Sequence, residues 1–152
     1  MVAYAGRRLE GVGPKYRFPA GFSKSRTLFH LPDAVRSAPE TGSVILVEGF
    51  FDCMQVHQAG YGNVVALMGT NLSDHQGRLL AERFRRVVVM LDGDEAGQRA
   101  GPGIAARLSG RLSVEVVALP ARIQPDQMSS CEIQHLLRPL IGSFPTDAHR
   151  RD

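Results

Sequence analysis

From residue 44 onward, the chain alternates short apolar runs with longer segments of mixed polarity. The apolar runs are rich in β-branched residues and predict four strands, at residues 44–47, 63–67, 87–91 and 113–119. The segments between them carry apolar residues at helical spacing and predict four helices, at about residues 50–59, 73–83, 94–109 and 128–138. Regular alternation of strand and helix predicts an α/β fold, a Rossmann-like parallel sheet of about four strands with helices on both faces.

Three of the predicted helices carry local signals. Apolar Phe51, Met54 and Val56 mark the first helix. Ser73 and Gln76 have the spacing of a capping box and open the second. The third contains Pro102 among several glycines, so we expect it to start late or to kink there.

The chain ahead of the first predicted strand is less regular. Residues 1–33 combine proline, glycine, basic and aromatic residues and predict an irregular arm, and residues 32–42 predict a short helix or turn followed by a linker. We therefore divide the chain into a basic arm (1–42), an α/β domain (43–141) and a flexible tail (142–152).

Charge is distributed unevenly along the 152 residues, whose formal net charge is +3. Residues 1–36 hold seven Lys and Arg against two acidic residues, whereas the remainder has a net charge of −2. Aromatic residues alternate with these cations, as in grooves that bind single-stranded nucleic acid. Two interpretations stay open: the aromatic residues stack on bases, or they anchor the arm to the domain.

Composition excludes several classes of protein. No apolar run reaches the length of a membrane span, and no signal-peptide core is present at the N-terminus. Cys53 and Cys131 belong to no Cys-x-x-Cys pair, which excludes a zinc knuckle or a disulfide framework that the sequence would show. We expect a soluble, cytoplasmic protein that does not contact a membrane.

Carboxylates follow two of the predicted strands directly. The first strand ends in Glu48-Gly49, and the third ends in Asp92-Gly93-Asp94. Because the carboxyl ends of parallel strands meet at one edge of a sheet, we expect these side chains to share a site, with Asp52 one helical turn beyond Glu48. Clustered carboxylates without His or Cys favour Mg²⁺ or Mn²⁺. A turn motif at Asp92-Gly93-Asp94 and a helix-dipole role for Asp52 remain alternatives.

The two motifs together resemble the Toprim domain. Glu48-Gly49-Phe-Phe-Asp52 and Asp92-Gly93-Asp94-Glu-Ala-Gly97 carry the resemblance, which covers about residues 43–138. That domain occurs in bacterial primases, type IA and type II topoisomerases, OLD-family nucleases and a small nuclease that matures ribosomal RNA. Within the family, the sequence is most similar to the catalytic core of bacterial replicative primases, as is the arm sequence Phe22-Ser-Lys24-Ser-Arg-Thr-Leu-Phe29.

The resemblance implies a function and a set of site residues. It implies Mg²⁺-dependent nucleotidyl transfer, namely RNA primer synthesis from nucleoside triphosphates on a single-stranded DNA template during DNA replication, with replication proteins as further partners. Two groups of residues would carry this activity: Glu48, Asp92 and Asp94 for catalysis, binding the metal together with Asp52 and Asp126, and Arg7, Lys15, Tyr16 and Lys24 for binding nucleic acid and nucleotide.

The sequence also departs from the primase pattern. Gln124 stands where the family carries the first Asp of an Asp-Pro-Asp motif. A second metal position would therefore have an amide in place of one carboxylate ligand. The zinc module and much of the N-terminal half of a primase core are not in the sequence, so we expect a truncated gene product, such as one from a mobile element, or a fragment. The alternatives are a Toprim metal-dependent nuclease and a catalytically degenerate nucleic-acid-binding fragment. A topoisomerase is disfavoured, because it needs a Tyr nucleophile in a separate domain.

Overall fold

A computed structural model describes residues 5–8, 12, 16–38 and 42–141 of the chain. Lys15 and the predicted tail at 142–152 lie outside these residues. The strands are β1 (Gly6–Arg7), β2 (Tyr16–Arg17), β3 (Ser43–Val47), β4 (Val64–Ala66), β5 (Arg86–Val89) and β6 (Ser113–Val116). The helices are α1 (Leu31–Ser37), α2 (Phe50–Gln58), α3 (Asp74–Arg83), α4 (Glu95–Leu108) and α5 (Ser130–Ile141), with 3-10 turns at Lys24–Arg26 and Pro125–Gln127.

Four of these strands form one parallel sheet in the order β4-β3-β5-β6. Ile45 at the centre pairs with Val64 on one side and Val88 on the other. This arrangement confirms the predicted α/β fold.

The strand order creates a switch point between β3 and β5. The chain leaves β3 through α2 toward β4, and it leaves β5 through α4 toward β6 on the opposite side. The loops after β3 and β5 therefore diverge and leave a crevice between them, which is where open α/β sheets bind ligands.

The core has two halves, one on each face of the sheet. Every residue of β3 is buried, as expected for a central parallel strand. Val44 and Leu46 face α1, α3 and α4, whereas Ile45 and Val47 face α2 and α5. Helices thus cover both faces of the sheet.

Helix α4 begins at Glu95 rather than late, and it runs as one helix through Pro102. The side chain of Asp94 stabilises this start, because its Oδ1 accepts a hydrogen bond from the Gly97 N–H at 2.8 Å. The final strand is shorter than predicted and ends at Val116, although the Val117 N–H still donates to the Val89 carbonyl at 2.8 Å. The predicted capping box of α3 is present.

The arm is more ordered than its composition suggests. Strands β1 and β2 pair antiparallel, with Arg7 opposite Tyr16. Phe29 exchanges two main-chain hydrogen bonds with Ala66, at 3.0 and 3.2 Å, and so extends the β4 edge of the sheet. Gln76, which is buried, donates from Nε2 to the carbonyls of Thr27 at 2.8 Å and Lys24 at 3.0 Å. These contacts attach the arm to the domain.

No helix in the described part of the chain is both long and apolar enough to span a membrane.

Candidate metal and nucleic-acid site

Glu48 and Asp92 meet at the switch point of the sheet. Each follows a central strand, and Glu48 Oε1 accepts a hydrogen bond from the main-chain N–H of Asp92 at 3.3 Å. Both residues are half-buried. The sequence prediction that these carboxylates share one edge of the sheet therefore agrees with their positions in the structure.

A cleft of about 200 Å³ opens beside this pair. Four acidic residues line it, namely Glu48, Asp52, Asp92 and Asp126. Gln124, Tyr16, Phe50 and Phe51 are also in its wall, so the arm contributes one residue to it. We call this space the carboxylate cleft.

Burial and the neighbouring carboxylates both disfavour a negative charge on Glu48 in the carboxylate cleft. Burial, followed by the nearby charge of Asp92, raises the pKa of Glu48 to about 7, with smaller contributions from Asp94 and Asp52. A carboxyl group with such a pKa exchanges protons near neutral pH. A cation in the cleft would relieve the same repulsion.

Asp52 is held by two main-chain donors. Its Oδ2 accepts from the Gly49 N–H at 2.8 Å, and its Oδ1 accepts from the Asp126 N–H at 3.2 Å. The side chain is only 6% exposed. Asp52 therefore joins the start of α2 to the turn at Pro125–Gln127, and its charge makes a small contribution to the raised pKa of Glu48.

Asp94 is outside the wall of this cleft, but its charge still raises the pKa of Glu48, more than the charge of Asp52 does. It is exposed, it caps α4 through the Gly97 N–H, and it is not among the residues that line the carboxylate cleft. An Asp directly before a helix serves equally well as a cap or as a ligand, so sequence alone does not distinguish the two roles.

Two glycines allow the backbone to fold this tightly around the site. A Cβ on Gly93 would overlap the Pro120 carbonyl oxygen, and one on Gly97 would overlap the Asp92 carbonyl oxygen and lie 2.9 Å from Glu48 Oε1. From the sequence, Gly97 was the last residue of the second acidic motif and one of the glycines expected to weaken α4; its close contact with Asp92 was not predicted. Its position three residues after Asp94 was the available signal.

The donor set fits Mg²⁺ better than zinc. Within the described ranges, no group of three or more His, Cys, Asp or Glu residues is arranged to hold a metal ion. Mg²⁺ keeps several waters and is commonly bound through one or two carboxylates together with substrate phosphates. Glu48 and Asp92 could provide the two carboxylates. Zinc would need a fuller set of nitrogen or sulfur ligands.

The predicted nucleic-acid residues are in the arm, beside aromatic rings. The Arg7 guanidinium lies over the Phe51 ring, 4.6 Å from its centroid, and Lys24 Nζ lies 5.7 Å from the Phe18 centroid. Tyr16 packs edge-on against Phe50 at 5.1 Å between centroids. These ring contacts support the interpretation that aromatic residues anchor the arm to the domain, and base stacking stays a prediction.

Phe50 and Phe51 were missed as site residues. Of the three apolar residues that marked α2, only Val56 is buried; Phe51 is 40% exposed and Met54 is 47% exposed. Cys53 takes the core position instead. The sequence signal that could have identified them is the position of two adjacent phenylalanines directly after Glu48-Gly49.

Comparison with known proteins identifies the family. A family model described as Toprim-like matches residues 45–129, a range that includes Glu48, Asp52, Asp92, Asp94 and Asp126. The chain belongs to the Toprim-like family. The resemblance inferred from the two acidic motifs is thereby confirmed.

Within that family, this Toprim-like chain is similar to DNA primases. It is 37% identical over 148 residues to a DNA primase from Aquifex aeolicus (strain VF5), covering 94% of this chain and 30% of the relative. It is 36% identical over 132 residues to a DNA primase from Staphylococcus aureus (strain COL), covering 84% of this chain and 22% of the relative. The chain thus spans less than a third of these curated relatives.

Solved structures agree with the sequence matches. A crystal structure of the zinc-binding and RNA polymerase domains of Aquifex aeolicus primase matches with a TM-score of 0.80 and 35% identity, over 91% of this chain and 36% of the other. A DnaG primase catalytic domain bound to single-stranded DNA matches with a TM-score of 0.73 and 26% identity, over 90% and 47%. Such coverage of this chain necessarily includes part of the arm.

Proposed function

We propose that the chain carries the metal-dependent phosphoryl-transfer site of a primase-like nucleotidyltransferase. The reaction would be RNA primer synthesis from nucleoside triphosphates on a single-stranded DNA template, in the cytoplasm and together with replication proteins. The observation that carries the proposal is the Glu48–Asp92 pair in the carboxylate cleft, where burial, followed by the charge of Asp92, raises the pKa of Glu48 to about 7.

Mg²⁺ or Mn²⁺ would be held by Glu48 and Asp92, with phosphate oxygens and water as the other ligands. When bound, the ion supplies charge neutralisation and orientation for the transferred phosphate. Asp94 and Asp126 would add negative charge at the periphery, and Asp52 would keep the loops in place through its two hydrogen bonds.

Glu48 also suits proton transfer. Without a cation, a carboxyl group with a pKa of about 7 exchanges protons at physiological pH. A bound cation would lower that pKa and keep Glu48 ionised, as a ligand that can still accept a hydrogen bond from an attacking hydroxyl group. The Asp92 N–H holds one carboxyl oxygen, Oε1, so the orientation of the acceptor is fixed before substrate arrives. In this proposal, Glu48 assists the chemistry and Asp92 positions it.

The arm would bind the template and the incoming nucleotide. Arg7 and Lys24 supply positive charge for phosphates, and Tyr16 lies where the arm meets the carboxylate cleft. Lys15, which lies outside the described residues, would belong to the same surface. The likeness to a primase domain bound to single-stranded DNA supports this assignment.

A metal-dependent nuclease is the second candidate, since the same carboxylates could direct water onto a phosphodiester. The direct contribution of Tyr16 to the cleft and the similarity to primases favour nucleotidyl transfer. Gln124 in the cleft wall, where the family has an acid, favours a degenerate nucleic-acid-binding protein instead.

The test is a calorimetric titration of the chain with Mg²⁺ and Mn²⁺, alone and with a single-stranded oligonucleotide and nucleoside triphosphate. We expect saturable binding that strengthens when nucleotide is present. Primer-synthesis and nuclease assays on the same samples then distinguish the two enzymes. Failure to bind either ion at millimolar concentration would reject the catalytic proposal and leave the degenerate protein.

A further inference from the structure

Arg122 is held beside the candidate metal ligands by main-chain hydrogen bonds. It lies in the loop that follows β6, and its N–H donates to the Gly93 carbonyl at 2.9 Å. In return, the Gly93 N–H donates to the Ile123 carbonyl at 2.8 Å. Gly93 separates Asp92 from Asp94, so the backbone of Arg122 is fixed against the acidic turn that follows β5.

The backbone of Arg122 is also in an unfavourable conformation. Its φ is 66°, in the left-handed region that Gly and Asn adopt more readily than Arg. Among the described residues, two others besides glycine have a positive φ, namely His30 and Met68. The side chain of each has a role in the structure, since His30 Nδ1 lies 2.9 Å from the Val64 carbonyl oxygen and Met68 lines the carboxylate cleft.

The side chain of Arg122 has no comparable contact. It is exposed, and no carboxylate in the described part of the chain forms an ion pair with its guanidinium. Strained residues cluster at active sites and ligand-binding sites, where the surrounding structure holds them in place. The two hydrogen bonds around Gly93 hold Arg122 in this way, which indicates that its guanidinium serves a ligand.

The carboxylate cleft lacks the positive charge that a polyphosphate needs. Four acidic residues line it, and its described wall contains no Lys or Arg. Its volume of about 200 Å³ is below the roughly 300–1,000 Å³ of sites that enclose a small molecule. Part of a nucleoside triphosphate would therefore lie outside the cleft, where its phosphates would need a cation from the protein.

We propose that Arg122 binds the outer phosphates of the incoming nucleoside triphosphate at the opening of the carboxylate cleft. Arg122 is not in the cleft wall, whereas Gln124, two residues further along the same loop, is. A long side chain that ends in five N–H donors can reach phosphates that project from the cleft. This inference rests on the proposed function, because it takes the phosphate nearest the sugar to lie at Glu48 and Asp92.

This assignment makes Arg122 a specificity-determining residue. A nucleoside monophosphate has no phosphate beyond the one at the carboxylate pair, so it would not reach Arg122. The preference of the site for a triphosphate over a monophosphate should therefore depend on the Arg122 guanidinium. A nuclease that cuts internal phosphodiesters has no outer phosphates to bind, so such a preference would also favour nucleotidyl transfer.

The test uses Arg122→Asn, which removes the charge and suits the left-handed backbone. The probes are ATP and AMP, each titrated calorimetrically into the chain in Mg²⁺. We expect Arg122→Asn to bind ATP about tenfold more weakly and AMP like the unsubstituted chain, because charge-assisted hydrogen bonds to the outer phosphates are lost. Unaltered ATP affinity, or an equal loss for ATP and AMP, would overturn the proposal.

Two further variants control for the charge. Arg122→Lys keeps a cation that can bind phosphate, so its ATP affinity should stay within about threefold of that of the unsubstituted chain. Arg83→Ala removes an exposed arginine from the last turn of α3, at the opposite end of β5 from the cleft, and should change neither affinity. A loss in Arg83→Ala as large as that in Arg122→Asn would refute a specific contact.

Thermal unfolding separates a role in binding from a role in the fold. Asn is tolerated better than Arg at a positive φ, so Arg122→Asn should unfold at the same temperature as the unsubstituted chain or slightly above it. A lower Tm would assign Arg122 to the stability of the loop and overturn the proposal.

Failure of this inference and failure of the proposed function give different results. If the unsubstituted chain binds no Mg²⁺, both are rejected. If the unsubstituted chain and Arg122→Asn bind Mg²⁺ equally well and also bind ATP equally well, only the assignment of Arg122 is rejected.

Discussion

Glu48 Oε1 accepts a hydrogen bond from the main-chain N–H of Asp92 at 3.3 Å, so the loops after the two central strands are joined by a titratable group. The strength of this connection depends on the charge of Glu48. Burial and the neighbouring Asp92 oppose that charge, and a cation would favour it.

Stability should consequently depend on pH in a defined direction. The pKa of Glu48 is raised in the folded state, so its stabilising contribution is complete below the unfolded pKa near 4.5 and is lost as pH rises through about 7. We expect Glu48→Gln to remove this loss and to raise the free energy of unfolding at pH 8 by about 1 kcal/mol, a figure reduced because the group is partly exposed. Urea unfolding at several pH values measures it. Glu82→Gln, an exposed charge change on α3, should leave the pH profile as it is.

The two Asp residues of the Asp92-Gly93-Asp94 turn should differ in their effect on metal affinity. Asp92→Asn removes a charge from the carboxylate cleft, and we expect it to weaken Mg²⁺ binding by about tenfold. Asp94→Asn keeps an oxygen that can accept from the Gly97 N–H, so α4 should keep its cap. The affinity for Mg²⁺ should change by no more than about twofold. Calorimetry on both variants tests this. Equal losses would make Asp94 a ligand in its own right.

Gly97 and Gly103 provide a matched pair within α4. A Cβ at Gly97 would overlap the Asp92 carbonyl, whereas nothing lies within 4 Å of one at Gly103. We expect Gly97→Ala to destabilise the fold by about 2–3 kcal/mol and to weaken Mg²⁺ binding, because Asp92 must shift. Gly103→Ala should instead stabilise it by about 0.5–1 kcal/mol through helix propensity. Thermal unfolding compares them, and similar destabilisation by both would contradict the close contact.

Gln76 should control the attachment of the arm. It is 1% exposed and donates to two arm carbonyls, so Gln76→Ala removes two hydrogen bonds between the arm and α3 and leaves space where a buried side chain was. We expect a loss of about 2–3 kcal/mol in stability and faster hydrogen exchange in the turn Lys24–Arg26. Gln58→Ala, an exposed position at the end of α2, is the control. Unchanged hydrogen exchange in the arm would show that other contacts are enough to hold the arm on the domain without Gln76.

Positive charge on the arm should appear in the salt dependence of single-strand binding. We expect Arg7→Ala and Lys24→Ala each to reduce the slope of log affinity against log salt by about 1, since each removes one phosphate contact. Arg99→Ala removes an exposed arginine that pairs with Glu95 at 3.7 Å, and it should leave the slope unaltered. If all three variants kept the slope of the unsubstituted chain, Arg7 and Lys24 would be solvated surface residues that do not contact phosphate.

The sequence predicted those parts of the site that depend on strand ends. Glu48 and Asp92 follow apolar runs that only central parallel strands explain, so their meeting at one edge was accessible from pattern alone. The strand order could not be predicted, because four similar apolar runs do not indicate which strands are neighbours in the sheet. The separate position of Asp94 and the exposure of Phe51 depend on how α4 and α2 are rotated on the sheet. Each of these helices buries only three or four residues, so tertiary contacts set the rotation.

The bridge between Phe29 and Ala66 has a consequence for association in solution. Strand β4 is an outer strand of the sheet, and its outward main-chain groups would otherwise be available to pair with another molecule. Phe29 occupies both hydrogen-bonding groups of Ala66, and the imidazole Nδ1 of His30 lies 2.9 Å from the Val64 carbonyl oxygen. The same arm that brings cations to the candidate site thus closes the β4 edge, so that detaching it would expose a strand prone to self-assembly.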